Sequence, residues 1–546
     1  MKTFFKHTTF LFILSAIFAI SVVSCKKEEK EIVTAFTVVV TGTYQYNGAA
    51  HEPSGASVIV KANDKTLYEN TDYTLSYSEN IYAGEAAVTA TGKGRHSESS
   101  TGEGNFTIHK RPVTVKADDS EKSIFIADDP PLTYTTKPLL FGDDQLAGML
   151  TREKGVKVGK YLIGQGTLNG GDNYEITDFN GGEFEIYVFR GDGESEATAY
   201  EIGAAEQLAG LAGFVNAGNT AYNDKYYKLT ADIDLNVAPY NVGEGWAPIG
   251  VFNGYRFKGN FNGDYHRVNG LYININSGYA DVGLFGAIEG GSVKNLGVVN
   301  ADIKGYYETG GVVAAWLKGG GISNCYTTGS ISGIWNIGGV AGGVAGVIEY
   351  ITNCYSSATV SGVSCVGGVA GLVQHDGIIA NCYSTGAISG EVYVGGVVGN
   401  VSSERNVSNC YSTGTIRGNR NVGGVVGYIF ASGVSCCAAL NPNVEGEIRV
   451  GRIVGGSMYE MTYSNNFAYS GMYVNGVVVT NGTADNNNGA DLDKSAAILQ
   501  ATYENLLGWK FGNNDDNPWI MGAGDYKLPV LYWQTETPKE MPEHLK

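Results

Sequence analysis

The sequence predicts an all-β protein in which the last two-thirds of the chain form a parallel β-helix-like solenoid with terminal caps, preceded by two small β-sandwich modules. The first observation behind this prediction is a period of about 28 residues, which is typical of solenoids whose units bury their apolar sides only by stacking. The second is that Val and Ile flank paired glycines in phase with that period. The pairs are Gly310-Gly311, Gly338-Gly339, Gly367-Gly368, Gly395-Gly396 and Gly423-Gly424.

One repeat has the length of one coil. About 28 residues, at about 3.3 Å each, supply two or three strands and their turns. Paired glycines allow a sharp turn or a close approach of the next coil. Stacked coils lie about 4.8 Å apart, so equivalent residues form ladders along the axis. An Asn-Cys-Tyr triplet keeps the same period and begins at Asn324, Asn353, Asn381 and Asn409.

Length and charge limit the functions that are open to the chain. At 546 residues it is too long for one ordinary core, so several domains are expected. The 37 basic and 55 acidic residues give a net charge of −18. Binding to phosphate backbones needs clustered Lys and Arg, so we expect no nucleic acid among the partners.

Residues 1–24 have the features of a signal peptide, with basic residues ahead of an apolar stretch too short for a stable membrane span. Val22-Val23-Ser24-Cys25 resembles the lipobox of bacterial lipoproteins. That resemblance implies cleavage before Cys25 and a diacylated cysteine, with the membrane a partner only through this anchor. The acylated linker 25–32 resembles the tag that sends some Gram-negative lipoproteins to the outer face of the outer membrane; the alternative is a short solvated linker.

Two β-rich modules are predicted at 33–109 and 110–189, because short apolar alternations are separated there by turn signals. In the first, Asp72-Tyr73-Thr74-Leu75-Ser76-Tyr77 resembles bacterial Ig-like surface repeats. In the second, residues 112–118 and 173–176 resemble the MBG domain of bacterial adhesins. Both resemblances imply Ig-like β-sandwich modules that serve as stalks. Neither module shows clustered catalytic groups or ligands.

The solenoid is predicted to start with an N-terminal cap and first coils at 200–300. Residues 204–217 place apolar side chains on one helical face, and such a helix would shield the first rung from edge pairing. In the repeats at 301–456, Val394-Gly395-Gly396-Val397-Val398-Gly399 resembles the GLUG motif of bacterial surface proteins and of some immunoglobulin A-cleaving metallopeptidases. A C-terminal cap is predicted at 457–536, with a helix at 492–507 and a frayed tail at 538–546.

Five cysteines at equivalent repeat positions are predicted to form an inward ladder. Buried free thiols are favoured over disulfides, because Cβ atoms about 4.8 Å apart exceed the usual bridge separation of about 3.8 Å. Zinc is not expected, since the chain has no CxxC pair and its seven histidines are scattered. The ladder positions are Cys325, Cys354, Cys382, Cys410 and either Cys436 or Cys437.

The tyrosines that follow the ladder cysteines are predicted to point outward. One interpretation makes them a ligand-binding platform on which sugar rings stack. The alternative is that the rings stack on one another, or beneath loops, and stabilise the sheet. The four positions are Tyr326, Tyr355, Tyr383 and Tyr411.

No catalytic or metal site is predicted. A polysaccharide-cleaving β-helix needs clustered carboxylates, but the acids of the repeats are few and most lie in presumed turns. His375-Asp376 is the nearest approach to a dyad, and a lone pair in a turn is more often solvated. Asp485-Asn486-Asn487-Asn488-Gly489 hints at calcium but lacks the Glu of an EF-hand loop. We expect no cofactor.

The function expected from these observations is that of a cell-surface lipoprotein adhesin, non-catalytic, whose partners are host or microbial glycans or surface proteins. One alternative is a carbohydrate-capture or assembly component of a surface complex. The other alternative is a β-helical polysaccharide-degrading enzyme, which the scarcity of carboxylates disfavours.

Overall fold

A computed structural model describes residues 35–278, 281–306, 310–346, 349–403, 407–430, 433–459, 461–535 and 538–546. The predicted signal peptide 1–24 and linker 25–32, with Cys25, lie outside the described residues. The chain divides into two compact units. Of the described residues, the first unit comprises 35–121 and 130–185, and the second comprises 122–129 and those from 186 onward.

The first unit consists of small β-sheets, as predicted. Its strands alternate buried and exposed positions, so each sheet turns one apolar face inward. One core contains Val58, Val60 and Val88. In sheet order, the strands of the first module are Thr37–Val40, Val58–Ala62 and Lys65–Thr66, then Tyr44–Gln45, Thr101–His109, Gly84–Gly92 and Tyr73–Ser78, with a 3-10 turn at Gly55–Ser57. Those of the second are Tyr134–Lys137, Arg111–Ala117 and Tyr174–Asn180, then Thr151–Arg152, Gly159–Gly164, Gly182–Tyr187 and Ser120–Ser123.

The second unit is a β-solenoid of about nine coils, which confirms the predicted fold class. Almost all lateral pairings between successive coils are parallel, and four sheets run along the axis. Sheet A has ten strands, Tyr200–Ile202, Tyr226–Leu229, Asn260–Asn262, Ser292–Lys294, Gly320–Ser323, Glu349–Thr352, Ile378–Ala380, Val407–Ser408, Val434–Ser435 and Tyr463–Ser464. Sheet C has seven, Phe285–Glu289, Ala314–Lys318, Ala341–Val344, Ala370–His375, Val398–Ser403, Val426–Ile429 and Val454–Ser457. Sheet D has six, Gly310–Gly311, Trp335–Gly338, Ser364–Gly367, Val392–Gly395, Arg420–Gly423 and Ile448–Gly451.

Sheet B is the largest sheet, and its outer face carries the predicted tyrosines. Each later coil contributes two short strands to it. The strands are Ile233–Asp234, Arg267–Asn269, Tyr272–Asn274, Gly297–Lys304, Tyr326–Ser332, Tyr355–Ser356, Thr359–Ser361, Tyr383–Ser384, Ile388–Ser389, Tyr411–Ser412, Ile416–Arg417, Ala438–Ala439, Asn443–Glu445, Phe467–Tyr469, Tyr473–Val474, Val477–Val478 and Ala490–Leu492.

The repeated residues have distinct structural tasks. Asparagine of the triplet forms the corner between sheets A and B in the left-handed backbone region, with φ near +51° to +54° at Asn324, Asn353, Asn381 and Asn409. Asparagine tolerates this conformation better than most residues. The glycine pairs allow the backbones of successive coils to approach closely. A Cβ on Gly368, for example, would clash with the carbonyl oxygen of Gly396 on the next coil.

Helices close the first coil and cover the last ones. The predicted N-terminal helix is confirmed at Ala205–Asn216 and is followed by Thr220–Asn223, with a 3-10 turn at Glu196–Thr198 ahead of them. The predicted single helix 492–507 is wrong: it is two short helices, Lys494–Ala497 and Gln500–Asn505, separated by extended Leu499. The hydroxyls of Thr502 and Tyr503 satisfy the carbonyls of Ala496 and Ala497 at this break. The hairpin Trp519–Met521 and Pro529–Leu531 and the 3-10 turn Glu543–Leu545 complete the cap.

Candidate functional site

The four predicted tyrosines form one stacked column on sheet B. They are direct lateral partners on successive coils. Ring centroids are separated by 5.1, 5.0 and 4.7 Å, with interplanar angles of 13°, 4° and 6°, from Tyr326 through Tyr355 and Tyr383 to Tyr411. Spacing and angle follow directly from the lateral distance between parallel strands.

The C-terminal cap covers most of this column. Trp519 lies 6.0 Å from Tyr411, and Trp533 lies 5.8 Å from Tyr355, measured between ring centroids. The Tyr411 hydroxyl donates to the Pro529 carbonyl at 2.7 Å. Tyr355, Tyr383 and Tyr411 are only 9%, 1% and 0% exposed.

The sugar-stacking platform is therefore wrong for Tyr383 and Tyr411, because the cap occupies the face on which a sugar would lie. The alternative, rings stacked beneath a covering segment, describes what the structure shows. Burial away from water raises the pKa of both phenols well above the ordinary value. The column is a hydrophobic seam that holds the cap on sheet B.

A groove runs beside the tyrosine column, between sheet B and the C-terminal tail. Two adjoining depressions, of about 390 and 460 Å³, share Thr385 and Pro538. We call them together the hydroxyl groove, because residues with hydroxyl side chains from four successive coils line it. These residues are Thr328, Ser357, Thr385 and, on the fourth coil, Thr413 and Thr415.

The tail 538–546 forms the far wall of this groove, which corrects the predicted frayed tail. Met541 and Leu545 are buried. The His544 ring lies with Nε2 2.7 Å from the carbonyl oxygen of Leu440, and burial lowers the pKa of this histidine. Two apolar anchors and one ring contact fix the tail, none of which a local sequence pattern predicts.

The predicted inward cysteine ladder is present. Its five members are buried and free, and each thiol donates to the carbonyl oxygen two residues earlier at 3.0–3.2 Å. They are Cys325, Cys354, Cys382, Cys410 and Cys437. Burial raises the pKa of the Cys354, Cys410 and Cys437 thiols. Cys436 takes the corner position of asparagine, with φ +55°. The five ladder cysteines fill the core and are remote from solvent, whereas Cys436 is partly exposed.

The loop that suggested calcium in the sequence is part of an internal hydrogen-bond network. Within the residues described, no three side chains of His, Cys, Asp or Glu cluster closely enough to hold a metal ion. In the loop 485–489, the carbonyls of Asn488 and Gly489 accept from the buried Arg452 guanidinium at 2.9 and 2.7 Å. Arg452 also pairs with Asp491 at 2.7 Å. The sequence hint of calcium thus corresponds to an internal arginine.

Glu349 is buried at the start of a sheet A strand, whereas the sequence predicts that most acids of the repeats lie in turns. Its Oε1 accepts from the Gly319 amide at 2.9 Å. Desolvation raises the pKa of this carboxyl group.

No helix in the described part of the chain is both long and apolar enough to cross a bilayer.

Comparison with known proteins identifies two segments. Residues 113–185 match the MBG domain (YGX type), and residues 362–389 match the GLUG motif. A protein named "Putative Gly-rich membrane protein" from Evansella cellulosilytica is 35% identical over 116 residues, and Halomucin from Haloquadratum walsbyi is 32% identical over 130. These alignments cover 21% and 23% of this chain, but only 12% and 1% of those much longer relatives.

A solved structure also resembles the chain. It is described as a putative immunoglobulin A1 protease from Bacteroides ovatus, is 25% identical, and gives a TM-score of 0.45 over 64% of this chain and 96% of that one. The two sequence matches agree with the resemblances drawn from the residues themselves, and the second falls on one coil of the solenoid. The chain therefore carries an MBG domain and, within its β-solenoid, the GLUG motif.

Proposed function

We propose that this chain is a surface-displayed, non-catalytic adhesin that binds host or microbial glycans in the hydroxyl groove. The observation that carries the proposal is the row of serine and threonine residues along the groove, which come from four successive coils; among them Thr413 is 5% exposed. Coils are about 4.8 Å apart, so the column from Thr328 to Thr413 is about 14 Å long. A glycan chain presents hydroxyls along its length and can exchange hydrogen bonds with such a column.

The rest of the lining suits a sugar chain. Tyr326 and Tyr355 also line the groove, and aromatic rings offer apolar area to the C–H groups of a sugar. Arg267 and Asn300 lie at one end and supply polar groups that can fix the orientation of a ligand. An extended, shallow site of this kind favours contact with a polymer over capture of a small molecule.

The lining also favours binding over cleavage. Among the described residues around the groove, Glu540 is the single carboxylate. Hydrolysis of a glycosidic bond generally uses two carboxyl groups that flank the bond. The proposal of a non-catalytic role rests on this composition.

Display at the cell surface is supported by the sequence and by the relatives. The lipobox-like stretch ending at Cys25 provides an anchor. The relatives bear the names of a membrane protein and of Halomucin, and the chain carries MBG and GLUG segments. Incorporation of labelled palmitate that is lost in Cys25→Ala, together with release by protease from intact cells, is the expected result.

Binding is tested with the detergent-purified full chain on immobilised mucin O-glycans, yeast mannan and bacterial polysaccharides. Ser357→Tyr places a bulky ring in the middle of the groove and should abolish binding to whichever polymer the wild type retains. Thr359→Tyr is the matched control, because Thr359 is exposed on the neighbouring strand and does not line the groove. Equal binding by both variants, or no binding of any polymer by the wild type, would contradict the proposal.

A further inference from the structure

A second concave site lies on sheet A, away from the hydroxyl groove on sheet B. Five residues of sheet A, one on each of five successive coils, are direct lateral partners. In order along the axis they are Tyr226, Asn260, Ser292, Gly321 and Tyr350. The column thus has a tyrosine at each end and smaller residues between them. The result is a pocket of about 190 Å³ on the outside of the solenoid.

The orientation of the Tyr350 ring depends on Gly321. A Cβ at position 321 would overlap the ring atoms of Tyr350, so this ring leans over the preceding coil. Its side chain is still 36% exposed. Because coils are about 4.8 Å apart, the coils of Asn260 and Ser292 form a floor about 10 Å long between the two tyrosines.

The floor is polar. The Ser292 hydroxyl donates to Asn260 Oδ1 at 2.7 Å, and the same amide group carries two N–H donors. An apolar occupant would cover these groups without providing hydrogen-bond partners, which is unfavourable. An occupant with hydroxyl groups would provide them.

The charges at the rim are balanced. Lys294 Nζ lies 2.7 Å from Glu196 Oε1, and Lys228 Nζ lies 3.2 Å from Glu201 Oε1. Each lysine therefore has a carboxylate of this chain as its partner. A phosphate, sulfate or carboxylate ligand would have to compete with these carboxylates, so the rim favours an uncharged ligand.

We infer that this pocket binds one neutral sugar ring, with its C–H face on Tyr350 and its hydroxyls on Asn260 and Ser292. Aromatic rings that flank a short polar floor meet the two requirements of a pyranose, an apolar face and a polar edge. The pocket is a site for a single terminal or branching sugar residue and is separate from the groove proposed for an extended glycan.

The test uses the full chain and methyl glycosides of glucose, galactose, mannose and N-acetylglucosamine as probes, with saturation-transfer NMR and titration. At least one probe should receive saturation from tyrosine protons. Tyr350→Ala should lower its affinity about tenfold, and Tyr350→Phe, which keeps the ring, should retain it. Gly321→Ala should also weaken binding, because the new Cβ displaces the Tyr350 ring.

Controls separate this site from the groove and from misfolding. Tyr473→Ala removes an exposed tyrosine of sheet B and should leave probe binding unchanged. Ser357→Tyr, which blocks the groove, should also leave it unchanged, so failure at one site is distinguishable from failure at the other. Absence of binding by every probe, unchanged affinity in Tyr350→Ala, or tighter binding of p-cresol than of any glycoside would overturn the inference.

Discussion

Replacing Tyr411 by alanine tests whether the tyrosine column holds the C-terminal cap in place. The Tyr411 side chain is fully buried and stacks on Tyr383 at 4.7 Å. It also contacts Trp509 and Trp519 of the cap, at centroid distances of 6.2 and 6.0 Å. Its removal leaves a cavity at the centre of the contact between sheet B and the cap.

The size of the effect follows from these contacts. Truncation of a buried aromatic residue to alanine generally costs about 3–5 kcal/mol, through lost transfer free energy and the cavity. Tyr411→Phe keeps the ring but leaves the Pro529 carbonyl without its donor, and we expect a loss of about 1–3 kcal/mol. Both losses apply to the docking of the cap, because the coils beneath have their own core.

Tryptophan fluorescence during denaturation is a suitable assay, since Trp509, Trp519 and Trp533 all lie in the cap. A loss of about 3 kcal/mol should raise the population of the open cap roughly a hundredfold, which proteolysis under native conditions would also detect. Tyr473→Ala is the control, because Tyr473 is 52% exposed and its replacement should change stability by less than about 0.5 kcal/mol. A cap that opens at the same denaturant concentration in Tyr411→Ala and wild type would show that the tyrosine column does not hold it.

Three further predictions concern buried titratable groups. The seven described cysteines should resist a thiol reagent in the native state, apart from partly exposed Cys436, and all should react in denaturant without a reductant; a requirement for reductant would indicate disulfides. The pKa of the Glu349 carboxyl group is raised, so the stability that the protonated group contributes is complete below pH 4.5 and is lost as the pH rises and the group ionises. Replacement by the neutral amide in Glu349→Gln should therefore raise the melting temperature at neutral pH and not below pH 4.5. The pKa of His544 is lowered, so docking of the tail should weaken as the pH falls below 6.5, seen as faster hydrogen exchange at 538–546, and His544→Phe should abolish this pH dependence.

The repeat was the strongest predictor of structure. Its period, its glycine pairs and its Asn-Cys-Tyr triplets together predicted coils, ladders and an inward column of thiols, because a lateral neighbour in a solenoid is always the equivalent residue of the next repeat. Cys436 and Cys437 show the limit of this reasoning. Both are plausible ladder members by spacing, and the backbone decides, since Cys436 takes the left-handed corner and Cys437 points inward.

The functional interpretation of the tyrosines failed for a different reason. An outward column has the same sequence pattern whether water or another segment covers it. The covering residues, such as Trp519 and Trp533, lie more than a hundred positions away in the chain and belong to no repeat. Likewise, the pocket on sheet A combines Tyr226 from the first coils with Tyr350 from a later repeat.

The coil can be predicted from the amino-acid sequence, because one period fixes both the strand pattern and the identity of each lateral neighbour. Which outer faces are closed depends on contacts between segments that lie far apart in the chain. The cap docks where its tryptophans find a wide aromatic column, and the removal of that apolar area from water favours the contact. The hydroxyl groove and the sheet A pocket are the concave surfaces that remain beside such contacts, so their positions depend on packing between distant segments.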